Sequence, residues 1–575
     1  MSPRWLSTLG LVLLSAPSAL AQDVRNPLRF IPAQAELVVI VDRPRHLVET
    51  VEKHELFQQA QKLAGVRELY DTTNFQQLYQ LIGYFEKQLG MNRDDILDEL
   101  GSGGIVLGAK LTPPQGVVVV LQAKDEKTLR RFLDVGLDIV EKELERGESK
   151  DRVVRSKYHG YDVGKIGSKL SYAIADGALV IASEENLLKA ALDVQLKKKG
   201  TKSVSQGSSF AEAQKKAPTK ALAWAWLNLE EVRKNPDFKN GLDAAALDNL
   251  QVVLFGGVTD LLKRSPYVTA ALTREGNDFR LGISMPKGRE GMAALKHMIL
   301  AGDGSGALPP LVVPRTLSSS SYFLDLGQLW DRRVEILGPT NAAGLEEGDK
   351  GLKKVLGSIK LAKIFKSMGP NHRLVVAQQK EQPYKIRPAT PFPAFALVVD
   401  MRDPSLAKDM NAIFRSGALL ATFQYGLRLN EETYKDCEMI SYYFSETKKV
   451  EGDPQNVRFN FNPTYVTVGN HFVMSATAEL ARDLIDALKS ERKQTPIKAS
   501  MRTHLQASGL ADIIRSNEDT ALTQLILAQA LPPKTAKAEL RTIIGWIEQL
   551  GTLRLETNYG VNDFRYDVLW QPKTK

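Results

Sequence analysis

Two stretches of sequence, far apart in the chain, share one pattern and decide the fold class. Residues 175–193 read ADGALVIASEENLLKAALD, and residues 468–488 read VGNHFVMSATAELARDLIDAL. In each, a glycine-containing turn, Asp176-Gly177 or Gly469-Asn470, separates two short strand-like runs, which predicts a β-hairpin. An apolar stripe at helical spacing follows each hairpin. Each stretch therefore predicts a hairpin that leads into a helix.

Further matches recur in the same order in both halves of the chain. An apolar strand-like run leads into Asp125 in one half and Asp403 in the other, and each Asp is predicted to cap the helix that follows, with Pro404 at a first helical position. The tetrapeptide NDFR at positions 277–280 returns at 562–565, which is 285 residues further along. Ordered matches at one long separation predict a tandem duplication of a whole domain.

The repeated pattern predicts an α+β fold with two similar tandem domains. Each domain is expected to hold an antiparallel or mixed sheet with helices packed on one face. The predicted organisation is a signal peptide at residues 1–21, a first repeat domain at 22–300, a linker at 301–310 and a second repeat domain at 311–575.

Two smaller features also carry structural predictions. Gly101 and Gly369 each follow a helical pattern, at the place where a C-terminal helix cap is expected. The serine run at 318–321 lies just before the predicted strand YFLDL and is interpreted as a polar strand edge or a loop.

The N-terminus is typical of a secretory signal peptide. It has one basic residue, Arg4, an apolar run at 9–14 and a small-residue cleavage site at 19–21. The only cysteine, Cys437, lies far from this segment, so no lipoprotein cysteine follows it. No later apolar run approaches the ~20 residues that a span requires. We therefore expect a periplasmic or extracellular protein with no transmembrane segment in the mature chain.

Cysteine content and charge exclude several classes of protein. A single cysteine cannot form an intramolecular disulfide, and Cys437 is interpreted as a small core or surface residue. The net charge of +9 is modest and mixed along the chain, which disfavours nucleic acid as a partner. The densest basic run, KKKGTK at 197–202, is interpreted as a solvated loop, with a weak anionic-surface contact as the alternative.

The sequence contains no recognisable catalytic or metal-binding motif. His46 and His54 share one predicted helix but are about two turns apart, too far to hold one metal ion together. His471 is interpreted as a strand residue. No nucleophile elbow, phosphate loop or dinucleotide fingerprint is present. We therefore predict no catalytic residue, no cofactor-binding residue and no metal ligand, although carboxylates from distant positions can still meet in a fold.

The signal peptide, the segment FIPAQAELVVIVD at 30–42, the segment GALVIASEENLLKAALD at 177–193 and the duplicated layout together resemble a family of exported bacterial proteins. That family is known only as a domain of unknown function. The resemblance implies a location in the cell envelope and brings no catalytic residue or cofactor with it.

Three hypotheses for function follow. The leading one is an exported, non-catalytic binding or scaffold protein of the bacterial cell envelope, whose partner is an envelope protein or a small ligand. The alternative is an envelope hydrolase with its site in the cleft between the two domains, where ligands commonly bind. The third is electrostatic attachment to an anionic surface, which salt would weaken.

Overall fold

A computed structural model describes residues 26–167, 170–243, 249–356, 359–491 and 495–573. The predicted signal peptide, residues 1–21, lies outside these ranges. The chain divides into two compact units. Unit 1 is Met1–Asp243 with Lys263–Pro286, and unit 2 is Ala244–Leu262 with Lys287–Lys575.

The described part of unit 1 contains ten strands, ten α-helices and the last two residues of an eleventh helix. The strands are β1 (Leu37–Val41), β2 (Ile105–Lys110), β3 (Gly116–Gln122), β4 (Val153–Tyr158), β5 (Tyr161–Ile166), β6 (Leu170–Ala175), β7 (Ala178–Ala182), β8 (Ala221–Asn228), β9 (Tyr267–Glu275) and β10 (Asp278–Met285). The helices are α1 (Pro44–Glu52), α2 (Glu55–Ala60), α3 (Ala64–Asp71), α4 (Thr73–Leu89), α5 (Arg93–Leu100), α6 (Glu126–Arg146), α7 (Glu185–Gln195), α8 (Ser208–Lys215), α9 (Leu229–Val232), α10 (Pro236–Asp243) and the last two residues of α11 (Asn249–Arg264).

Unit 2 contributes another ten strands within its described residues. The strands are β11 (Thr316–Phe323), β12 (Met368–Ala377), β13 (Ala394–Met401), β14 (Arg428–Tyr434), β15 (Cys437–Tyr443), β16 (Thr464–Val468), β17 (His471–Ser475), β18 (Met501–Gln506), β19 (Thr552–Tyr559) and β20 (Phe564–Gln571). The helices, besides most of α11, are α12 (Lys296–Ile299), α13 (Leu326–Asp331), α14 (Arg333–Leu356), α15 (Leu361–Ser367), α16 (Ser405–Tyr425), α17 (Ala478–Ser490), α18 (Ala507–Ser516), α19 (Glu518–Gln529) and α20 (Pro533–Gln549).

Within each unit the strands pair antiparallel. In unit 1 their order is β4-β5-β6-β7-β3-β2-β1-β8-β9-β10. In unit 2 the order is β14-β15-β16-β17-β13-β12-β11-β18-β19-β20. The two orders correspond position by position, and β4 and β14 stand at the same end of each. The mixed α+β class is therefore present, and the sheet of each unit is antiparallel.

The prediction of helices on only one sheet face is wrong. In unit 1, Val180 packs in a core cluster that contains Leu188 and Leu192 of α7, whereas its neighbour Leu179 packs in a cluster that contains Leu129 of α6. Successive strand residues point to opposite faces, so helices cover both. The near-continuous apolar runs of these strands, such as GVVVVLQ in β3, are typical of strands buried on two sides.

The two predicted hairpins are confirmed. Ala175 pairs with Ala178 across a two-residue turn in which Asp176 and Gly177 have φ of 49° and 74°. This left-handed backbone suits Gly and Asp, which explains the turn sequence. In unit 2, β16 and β17 are joined across Gly469, whose φ is 56°.

The cap predictions are partly confirmed. The Asp125 carboxylate accepts the backbone N–H of Thr128 at 2.8 Å, and this bond holds the pKa of Asp125 below its usual value. The Asp403 carboxylate accepts the N–H of Ser405 at 2.8 Å, so α16 begins one residue after Pro404. Gly101 caps α5 as expected.

Two local predictions are wrong. Gly369 is the second residue of β12, not a helix cap, because α15 ends at Ser367 and the chain turns directly into the strand. The serine run lies in β11, which is hydrogen-bonded on both sides, so it is neither an edge nor a loop. Of its hydroxyls, that of Ser320 accepts a hydrogen bond from the Thr503 hydroxyl at 2.9 Å.

The predicted linker at 301–310 makes backbone hydrogen bonds within unit 2. The N–H of Gly306 donates to the carbonyl of Ile497, and the N–H of Ala307 donates to that of Ala499, each at 2.9 Å. Ala307 is fully buried. This part of the segment therefore packs as an extended element of unit 2, and the predicted domain boundaries remain a prediction.

Candidate functional site

An apolar pocket of about 730 Å³ lies in unit 2, between helix α16 and one face of the sheet. The sheet contributes Phe395, Leu397, Tyr442, Tyr465 and Met474 to its wall. A volume of this size lies within the range of small-molecule sites in proteins.

The sequence of α16 explains why the space exists. Its sheet-facing stripe begins with large residues, Met410, Ile413 and Phe414, which pack on the sheet. One turn later the same stripe carries only small residues, Gly417, Ala418 and Ala421, all of which line the pocket. Because these small side chains do not reach the sheet, a gap remains between the helix and the strands.

Three hydroxyls at the pocket wall are already hydrogen-bonded within the protein. The Ser475 hydroxyl donates to the carbonyl of Thr477, and the Thr464 hydroxyl donates to that of Asn462, both at 2.8 Å. The Tyr465 hydroxyl donates to Oδ1 of Asn411 at 2.8 Å. The pocket therefore offers apolar surface rather than free hydroxyls.

Tyr465 is fixed by aromatic contacts and burial. Its ring stacks on Phe414, with centroids 5.1 Å apart, and approaches Phe472 at 6.1 Å. Burial raises the pKa of Tyr465 well above its ordinary value, so the hydroxyl stays protonated at neutral pH. It acts as a hydrogen-bond donor to Asn411, not as a base.

A buried ionic cluster in unit 2 is the second arrangement of chemical interest. Arg373 is only 1% exposed, and its Nη1 lies 2.6 Å from Oε1 of Glu491. Nε2 of His471 lies 3.1 Å from Nη2 of Arg373 and 3.0 Å from Oδ1 of Asp400. That nitrogen can accept a hydrogen bond from the arginine or donate one to the aspartate, depending on whether it carries a hydrogen.

A polar cavity of about 1020 Å³ lies in unit 1. Its most buried charged group is Glu36, whose Oε2 accepts the backbone N–H groups of Leu111 and Thr112 at 2.7 and 2.8 Å. This carboxylate supplies the acceptor for the two backbone N–H groups that follow strand β2, so its role is structural.

The histidines and the cysteine considered in the sequence analysis lie in helices, strands and the core. Nδ1 of His54 accepts the N–H of Leu56 at the start of α2, while His46 is exposed on α1. His471 begins β17, which confirms the strand prediction, and Cys437 is a buried core residue. Among the described residues, no group of three or more His, Cys, Asp or Glu side chains is placed to hold a metal ion.

Sequence reasoning did not find the pocket. Its wall comes from strands and loops between positions 395 and 476, which no local pattern links. One signal was available: positions 416–427, SGALLATFQYGL, form a stretch of twelve residues without a charge.

None of the helices in the described ranges is both long and apolar enough to cross a bilayer.

In comparisons with known proteins, no family model matches the sequence, and no curated protein matches it. Solved structures of TP0453 in crystal forms I, III and IV are similar over 45% of this chain. They are 10%, 9% and 8% identical, with TM-scores of 0.23, 0.24 and 0.23, and the match covers 78%, 79% and 80% of those chains. The resemblance to a family of unknown function remains a prediction.

Proposed function

We propose that this chain is a non-catalytic binding protein that holds a long apolar molecule, such as a fatty acyl chain, in the pocket beneath α16. The observation that supports this most strongly is the wall of the pocket, which is mostly apolar and in which the hydroxyls of Thr464, Tyr465 and Ser475 are occupied by other groups of the protein. An apolar ligand enters such a site without leaving buried polar groups unpaired.

The same wall argues against a reaction at this site. A general base or nucleophile needs a hydrogen-bonding group that can reach the substrate. The hydroxyls of Thr464 and Tyr465 point to Asn462 and Asn411 instead. The hydrolase alternative stays a prediction.

Export to the cell envelope is part of the proposal and rests on the sequence of residues 1–21. A tandem duplication is also proposed. It is supported by the corresponding strand orders of the two units and by the hairpins at Gly177 and Gly469, each followed by an amphipathic helix. If the units are copies, the apolar pocket of unit 2 is a specialisation of one of them.

A fluorescent fatty acid tests the binding proposal. The polyene cis-parinaric acid gains fluorescence when its chain is buried, so titration of the purified protein should give saturable binding. Ala418→Trp places an indole ring in the pocket, whereas Ala412→Trp adds the same ring on the exposed side of the same helix.

We expect the Ala418 variant to bind roughly tenfold more weakly, because displacing even two methylenes forfeits about 0.8 kcal/mol each. The Ala412 variant should bind as the unaltered protein does. Equal affinity of both variants, or no saturable binding by the unaltered protein, would refute the proposal.

A further inference from the structure

The outer face of α16 carries an exposed apolar surface. Leu419, Leu420 and Phe423 are 64%, 67% and 78% exposed. By helical spacing, Leu419 and Phe423 lie on the side of the helix opposite the pocket-lining Gly417 and Ala421, and Leu420 lies on the flank between the two sides. We name these three residues the apolar tip. One helical segment thus supplies both the wall of the pocket and the tip.

Five cations lie on chain segments that follow α16 or connect to its C-terminal end through hydrogen bonds. The cations are Lys385, Arg387, Arg428, Lys448 and Lys449, here named the cationic rim. Nζ of Lys448 donates to the carbonyl of Phe423, so the segment around residue 448 contacts the end of α16. The N–H of Ile386 donates to the Glu446 carboxylate at 2.8 Å, so the segment around residue 386 contacts the segment around residue 446.

Within the described residues, the rim has no salt bridge to a carboxylate. By contrast, Arg415, one turn before the tip, pairs with Glu431. The positive charge of the rim is therefore available to an external anionic partner, and Lys448 of the rim contacts the backbone of Phe423 in the tip.

The corresponding helix of unit 1 lacks these features. Helix α6 also follows an aspartate cap, but its second half, 135–146, reads VGLDIVEKELER and is rich in charges of both signs. Its apolar residues are half-buried or buried, and Phe132 stacks on Phe85 with centroids 4.7 Å apart. The fold therefore does not require an uncharged, exposed helix end.

We propose that the apolar tip and the cationic rim dock on the surface of an anionic lipid bilayer. This inference rests on the proposed function, since it makes the bilayer the place where an apolar ligand is acquired or released. Apolar side chains among cations are the pattern of interfacial membrane binding. A second copy of this chain is disfavoured as the occupant, because a symmetric contact would set one cationic rim against another.

A fluorescent label at the tip tests the inference. Cys437 is buried, so Leu420→Cys provides an accessible thiol for the environment-sensitive dye NBD. Leu527→Cys on α19 is the matched control, because Leu527 is 73% exposed but lies outside the tip. Each labelled full chain is mixed with vesicles of phosphatidylglycerol and phosphatidylcholine, or of phosphatidylcholine alone.

With anionic vesicles, the dye at position 420 should shift to the blue and brighten severalfold, and added salt should weaken this response. The dye at position 527 should not respond. An unchanged signal at position 420, or an equal response to neutral vesicles, overturns the inference. A response at position 420 that depends on protein concentration without vesicles also overturns it, in favour of a second copy.

The triple variant Leu419→Ser/Leu420→Ser/Phe423→Ser provides a second readout. We expect its partition into anionic vesicles to fall roughly a hundredfold, from the loss of three partly buried apolar side chains. Its cis-parinaric acid binding in solution should be unchanged, because none of the three lines the pocket. Vesicle binding equal to that of the unaltered protein overturns the inference, and a failure of parinaric acid binding would instead count against the proposed function.

Discussion

Replacement of Arg373 by methionine should destabilise unit 2 selectively. Methionine keeps an unbranched apolar stem of similar reach, so the change removes the guanidinium with little loss of packing. What remains is the Glu491 carboxylate, which has lost a donor at 2.6 Å, and His471, which has lost one at 3.1 Å. The effect on stability therefore reports mainly on the buried charge.

The size of the effect follows from burial. Breaking a buried ion pair by removing one partner costs about 3–5 kcal/mol, because the remaining charge is left uncompensated. Arg373 is 1% exposed, but the side chain of Glu491 is 13% exposed and can regain some hydration. We therefore expect the lower end, a loss of about 3 kcal/mol in the free energy of unfolding of unit 2.

Native-state hydrogen exchange measures this loss unit by unit. At 1.4 kcal/mol per factor of ten, a loss of 3 kcal/mol speeds exchange through global opening by about a hundredfold. Peptides from β12 and β13 should show this change, whereas peptides from β2 and β3 of unit 1 should exchange as before.

The double variant Arg373→Met/Glu491→Gln separates charge from packing. Removal of both charges is often nearly neutral, so the double variant should be more stable than the single one by about 2 kcal/mol. If the stability losses of the two substitutions instead add, the ionic cluster does not have this energetic role. The same conclusion follows if Arg373→Met changes the hydrogen-exchange rate by less than threefold.

Three further outcomes are expected. Burial lowers the pKa of His372, so below pH about 6.5 the folded state binds fewer protons than the unfolded state. The stability of unit 2 should therefore fall as pH drops below that value. His372→Gln should make this fall in melting temperature smaller. Ser321→Ala should raise stability by about 1 kcal/mol in denaturant unfolding, since its buried hydroxyl has no partner among the described residues, while Ser320→Ala should lower it because Thr503 loses its acceptor at 2.9 Å. Gly177→Ala should cost about 1 kcal/mol in the same measurement, because φ there is 74°.

Each of these outcomes can fail in a recognisable way. A His372 variant with the same loss on acidification would show that other groups set the pH dependence. Equal effects of Ser320→Ala and Ser321→Ala would mean that hydrogen bonding does not distinguish the two hydroxyls. A neutral Gly177→Ala would show that the turn can adopt another conformation.

Local structure was predictable where a few adjacent residues determine it. The turn at Asp176-Gly177 needs left-handed backbone at two consecutive positions, and the Asp125 cap needs only the amides of the next turn. The prediction of a helix cap at Gly369 was wrong because a glycine after a helical run has two explanations, a helix cap or a close contact with a neighbouring strand. A Cβ there would lie 2.8 Å from Cβ of Asp400, so the second explanation applies.

The pocket was not predictable because it depends on distant segments. Nothing in the run Gly417–Ala421 shows that small residues face a gap, since small residues also allow close packing. The difference is decided by Phe395 and Tyr465, which stand across from the helix only after the sheet has formed. The prediction of an edge or loop at the serine run was wrong for a similar reason, because the burial of these residues depends on the pairing of β11 with β12 and β18.

The strands at the matching ends of the two sheets, β4 and β14, bear on how the protein resists aggregation. An end strand exposes backbone groups that can recruit another chain. Here β4 carries Arg155 and Lys157, and β14 carries Arg428, Glu431 and Glu432. Charges on an edge hinder stacking of identical strands, because like charges would be brought into register. Charged side chains on both end strands are thus a feature that disfavours edge-to-edge association between copies of this chain.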